Sequence, residues 1–115
     1  VRRALDLDPD YVEALEHLAT HLITRSRQYA DGLALIDRAV ALRPDDAGIW
    51  YAAGWCYEFA AHEVARRRPP GVDVHPHVWY ERAAAAFRHC LSLHPDGKLA
   101  DDAADLLDHV ENVLQ

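Results

Sequence analysis

The chain has 115 residues, half of them hydrophobic and 27% charged, with a net charge of −7. That length bounds it to one domain, long enough to bury a core. The charge argues against a nucleic-acid binder, because phosphate contacts need a surplus of Lys and Arg; no apolar run approaches the ~20 residues of a membrane span, and no signal peptide opens the chain.

Apolar periodicity and helix-stop signals predict five helices, at about 10–25, 29–43, 46–67, 77–93 and 97–114. The opening "VRRALDLD" reads as the end of a further helix, and there is no Met at position 1 or elsewhere. The sequence therefore reads as a segment of a longer protein, with 1–9 the tail of a preceding unit. The first predicted helix carries Leu15, Leu18, Ala19 and Leu22 at helical spacing, and the second carries Gly32 and Ile36. The third opens with "WYAAGWCYEF", and the fourth holds Ala83, Phe87 and Cys90. The fifth places Leu99, Ala103, Leu106, Leu107, Val110 and Leu114 on one stripe. Its other side carries Asp101, Asp102, Asp105, Asp108 and Glu111, read as a solvated face with a cation-attracting patch as the alternative.

The chain repeats itself. "ALDLDPD", "AVALRPDD" and "CLSLHPDG" each place a small residue before two spaced apolar residues and then X-Pro-Asp. Pro cannot continue a helix, and an Asp just beyond it caps the next one. Trp50, Gly54 and Tyr57 form W-x-x-A-G-x-x-Y, Ala83 and Phe87 form A-x-x-x-F, and Pro95 follows. This resembles the tetratricopeptide repeat, whose signature is W-x2-L-G-x2-Y, A-x3-F and P over about 34 residues. Ala53 replaces the Leu, and the preceding unit is a weaker copy. The resemblance implies an all-α solenoid of about two helical hairpins (10–44 and 45–95) closed by a capping helix (96–115). Small residues such as Gly54, Ala83 and Cys90 let helices approach, and Trp50, Tyr57 and Phe87 fill the space between them.

Pro9 and Pro44 are 35 residues apart, but Pro44 and Pro95 are 51. Against the family period, the second unit carries about 17 extra residues. Both halves of its signature are undisturbed, so the excess lies in the turn between its helices, at about 60–77. "FAAHEVARRR" continues the helical stripe through Ala60, Ala61 and Val64, and "PPG" stops it. The first helix is therefore expected to overhang by about two turns, with the return segment packed against it. Long turns of this kind are often functional. Arg66, Arg67 and Arg68 read as a solvated helix end, with an anion or acidic-partner site as the alternative.

Cys56 and Cys90 read as buried free thiols, which fit a reducing compartment; the expected location is the cytoplasm. The Arg- and Ala-rich, Lys-poor composition points toward a GC-rich bacterial source. Eight histidines raise metal binding. His17 and His21 share a helical face, and His75 and His77 flank Pro76 with His62 as a possible neighbour. None of this is a Cys/His zinc spacing, and in "HEVAR" the second His of a zinc-protease helix is replaced by Arg66. Surface or loop histidines are the preferred reading. No phosphate-cradling Gly loop or nucleophile with a visible base is present. No metal, cofactor or catalysis is expected.

By the register of the resembled family, first-helix positions that face the concave groove fall on Glu13, Glu16, Thr20, Ile23 and Thr24. In the next unit they fall on Gly48, Tyr51, Trp55, Glu58 and Phe59. Where chaperone-binding members carry Lys and Asn to clamp a carboxylate, this chain has Glu16, Thr20, Tyr51 and Trp55. A carboxylate clamp is disfavoured. Tyr51, Trp55 and Phe59 recur every four residues as a second apolar stripe, so this helix is buried on two faces or binds something. The expected function is a scaffold or adaptor that binds an apolar, somewhat basic peptide or helix. Its contacts would be Tyr51, Trp55, Glu58 and Phe59, with Glu16 and Thr20 beside them. The alternatives are a homo-oligomerisation module such as a homodimer, and a regulatory or docking segment of a larger enzyme.

Overall fold

A computed structural model describes residues 9–67 and 75–115. It holds five helices: α1 (Pro9–Thr24), α2 (Tyr29–Leu42), α3 (Ala47–Arg67), α4 (Pro76–Ser92) and α5 (Gly97–Leu114), with no strand among the described residues. The bounds fall within one residue of the sequence expectation. The proposed tail at the start and the tip of the long turn lie outside the described residues, as does Arg68.

Local chemistry sets these ends. Pro9 opens α1, where its missing N–H costs nothing. The Asp46 carboxylate accepts the Ile49 N–H at the start of α3, and Asp96 accepts the Leu99 N–H at the start of α5. The acids after Pro44 and Pro95 are therefore caps, with Asp46 rather than Asp45 serving in the first case. The α1–α2 connection turns through Arg27 at φ 55°, and the α4–α5 connection through His94 at φ 55°. Both use left-handed backbone to leave a helix end.

Each helix packs on the next in chain order, and α3 also meets both α1 and α5. The described molecule is a slab of 39 × 33 × 18 Å. Its core runs along the slab through Ala19, Ile23, Ile36, Ala39, Cys56, Ala60, Ala83, Phe87, Cys90, Ala103 and Val110. Two glycines allow the close helix approaches: a Cβ on Gly32 would collide with Ile23, and one on Gly54 with the ring of Phe87.

Most of the expected enlarged turn is helix. α3 stays helical to Arg67 and α4 already begins at Pro76. Ala60, Ala61 and Val64 are buried on the first, and Trp79 and Tyr80 on the second. The inserted residues therefore lengthen both arms of the hairpin. The expected packing of a return loop on the overhang falls on residues outside those described.

The core differs from expectation in three places. Leu18 is 49% exposed although its counterpart in the next unit, Ala53, is buried. The described helix α2 covers Ala53's side of α3, and no described helix precedes α1 to cover Leu18. Trp50 is only half-buried; its indole donates to the Pro44 carbonyl at 2.7 Å. On α5 only Ala103 and Val110 are fully buried, and the four leucines of the stripe are half-buried. No described helix follows α5 to cover the rest.

Candidate functional site

The α3 stripe was expected to be either core or contact surface, and it is intermediate. Tyr51, Trp55 and Phe59 pack against the core with part of each ring exposed. The Trp55 and Phe59 rings stack at 5.4 Å between centroids, 22° from parallel. Tyr51 leans on the buried ring of Phe87 at 6.0 Å. The three form a ridge whose inner edges are fixed by the core.

A shallow depression of about 330 Å³ lies on the α1 side of this ridge, lined by Glu16, Thr20, Gly48, Tyr51, Ala52 and Trp55. Four of the six expected contact residues thus meet in one place. Glu58 lies on the other side. Its charge acts on Tyr51 and on Tyr80 of α4, and it feels His109 of α5 and His62 of its own helix. The six residues are therefore split by the ridge into an α1-side group and an α5-side group.

The carboxylates are set in partly dehydrated surroundings. Burial raises the Glu16 pKa above the usual value, with His17 opposing and Asp46 and Glu13 adding to the rise. Burial also raises that of Glu58, with His109 and His62 opposing. The Glu58 Oε2 atom is shielded from solvent and has no hydrogen-bond donor among the described residues. Desolvation comes first in both cases because neither acid has a close cationic partner to offset it.

Not every expected groove residue serves a groove. Ile23 is fully buried against the core and presents nothing to a partner. The Thr20 hydroxyl donates to the Glu16 carbonyl at 2.9 Å, and Thr24 donates to the Thr20 carbonyl at 2.7 Å. Their donors are spent inside α1, so Thr20 offers a partner an acceptor and a methyl group. The register of the resembled family placed these side chains on the groove face, but local hydrogen bonding took the donors.

A second cleft, about 400 Å³, was missed by the sequence reading. It lies between α2, α3 and α4 and is lined in part by Asp37, Trp50, Tyr57, Arg82 and His89. The Tyr57 hydroxyl donates to Asp37 in a short hydrogen bond, and the Arg82 guanidinium lies over the Tyr57 ring at 5.8 Å. His89 packs on Trp50 at 4.2 Å between ring centroids. The principal polar groups there engage one another and tie three helices together, so the cleft reads as a structural seam. Asp37 and Arg82 carry no repeat signature, which is why the sequence did not single them out.

The remaining candidates have local roles. Arg66 and Arg67 both pair with Glu63, at 3.1 and 3.0 Å. His75 accepts from the His77 backbone N–H as the cap of α4. No group of three or more His, Cys, Asp or Glu side chains among the described residues is arranged to hold a metal. Cys56 and Cys90 are buried free thiols, and burial pushes the Cys56 pKa up to about 11. No described helix is long and apolar enough to cross a membrane.

Comparison of the chain with family models, with curated proteins and with solved structures finds no match in any of the three.

Proposed function

We propose that the chain is a protein–protein interaction module of two tetratricopeptide-type hairpins and an end helix. It holds a peptide or partner helix along the face shared by α1, α3 and α5, and it serves as a scaffold or adaptor with no catalysis of its own. The observation that carries this reading is the half-exposed ridge of Tyr51, Trp55 and Phe59. Aromatic rings anchored on one edge and open on the other are favoured interface anchors.

The fold assignment is supported by the signature spacings and by the packing order, in which each helix meets the next and α3 meets α1 and α5. Stacked hairpins produce that order, since one hairpin cannot bury its apolar face alone. A cytoplasmic setting suits the two free thiols.

The test is selection of short random peptides on the domain and, in parallel, on a Tyr51→Ala/Trp55→Ala double variant whose helicity and melting are verified. Peptides that bind the first and are lost on the second are expected. Equal binding to both would move the contact surface away from the ridge.

A further inference from the structure

We propose that Glu58 is a cation subsite on the α5 side of this aromatic ridge, taking the ammonium or guanidinium of a Lys or Arg that the partner presents beside an apolar stretch lying on Trp55 and Phe59. The proposal rests on the reading of the ridge as a partner surface and adds the chemistry of the partner.

The argument starts from a carboxylate that nothing in the described chain completes. Glu58 Oε2 is out of solvent without a hydrogen-bond donor, and no ion pair among the described residues includes Glu58. The groups facing it are the Tyr51 and Tyr80 phenols, His62 on its own helix and His109 on α5. A carboxylate drawn partly out of water costs free energy unless it is paired. Glu58 as a whole is only half-buried, so part of the side chain is open to a cation from outside.

The surroundings suit that cation. The three rings of the ridge stand on the same helix within one or two turns of Glu58, and ring faces attract ammonium and guanidinium groups. Glu16 lies across the ridge, and Asp102 is near enough to act on Tyr51. The whole chain carries −7. A basic, apolar segment is complementary to this face in shape and in charge. A second copy of the chain suits it less well, because a symmetric dimer through this face would bring two acidic surfaces together.

The test is a double-mutant cycle on a peptide taken from the selection described above. One arm changes the protein by Glu58→Gln, and the other replaces the peptide's Lys or Arg with norleucine. Each single change is expected to weaken binding by about 10-fold to 30-fold, and the two together by no more than either alone. Glu81→Gln removes the same charge from an exposed site on α4 and is expected to leave affinity unchanged. Glu58→Gln deletes an unpaired charge, so the variant folds, and its melting curve verifies this.

If selected peptides need Tyr51 and Trp55 but carry no basic residue, or if the two changes are additive, the cation subsite is overturned and the groove stands. If no peptide is selected, or binding ignores the aromatic pair, the groove reading fails and the subsite with it. A mass that rises with concentration and returns to the monomer in Trp55→Ala would assign the face to a second copy and also overturn the proposal.

Discussion

The ring of Phe87 occupies the space where a side chain on residue 54 would begin: a Cβ on Gly54 would stand 2.6 Å from Phe87 Cε1 and 2.8 Å from its Cζ. Phe87 is fully buried and has nowhere to move. The W-x-x-A-G-x-x-Y and A-x-x-x-F halves of the second unit are therefore one contact, made across the α3–α4 interface.

Gly54→Ala sets two effects against each other. Ala is the better helix former by about 1 kcal/mol. Overpacking a tight core costs about 1–3 kcal/mol, and here the obstacle is a fixed ring rather than a flexible chain end. The fixed ring decides the sign, and a net destabilisation of up to about 2 kcal/mol is expected, read as a lower melting temperature. An unchanged or higher Tm would mean that α3 and α4 separate more easily than this packing implies.

Tyr57 and Asp37 bind α3 to α2 through a single hydrogen bond. Tyr57→Phe removes it and is expected to cost about 1–2 kcal/mol in chemical denaturation. The Tyr57 pKa is pushed up to about 12, by burial first and then by the Asp37 hydrogen bond and charge, with Arg82 opposing. A phenol with a raised folded pKa contributes stability at lower pH that is lost as pH climbs from about 10 through 12. An ultraviolet titration of the folded wild type against Tyr57→Phe should show the missing phenol as one that ionises near 12. A difference centred near 10 would contradict the burial of that hydroxyl.

Glu16 and Glu58 run the other way from most acids. Their folded pKa values are raised, so the native state holds protons that the unfolded chain has released. Stability then falls as pH rises from the ordinary carboxylate value through each raised one. Glu16→Gln and Glu58→Gln should each melt slightly higher than wild type at pH 7. The gain should be below about 1 kcal/mol because solvent screens these half-exposed positions. The advantage should shrink as the buffer is taken below the usual carboxylate range. A lower melting point for Glu58→Gln at pH 7 would show that the carboxylate has a partner inside the chain.

Asp96 closes the start of α5 by accepting the Leu99 N–H at 3.1 Å. Asp96→Ala is expected to cost about 1 kcal/mol. The loss should fall on the end helix, as faster amide exchange over its first turn, while α3 keeps its protection. Uniform acceleration across all five helices would mean that α5 does not open separately.

Helix positions, stops and the heavy packing partners were legible in the sequence because each rests on local rules. Helical spacing, prolines and short acidic caps act within a few residues of themselves. The excess length of the second unit was legible too, as an interval between two prolines. Its form was largely legible: the α3 overhang could be read from the Ala60–Ala61–Val64 stripe and the start of α4 was expected within one residue of Pro76, whereas the burial of Trp79 and Tyr80 depends on packing.

The tertiary structure decided what each exposed-looking position faces. Leu18 and Ala53 share a register, yet one is open and the other buried, because α3 has a described helix before it and α1 does not. Ile23 shares the groove register with Glu16 and is core. The ridge divides Glu16 from Glu58, and the Asp37–Tyr57–Arg82 seam joins residues from three helices. Spacing along one helix specifies a direction, but the neighbour found in that direction depends on how the helices stack, and so does the water each carboxylate keeps.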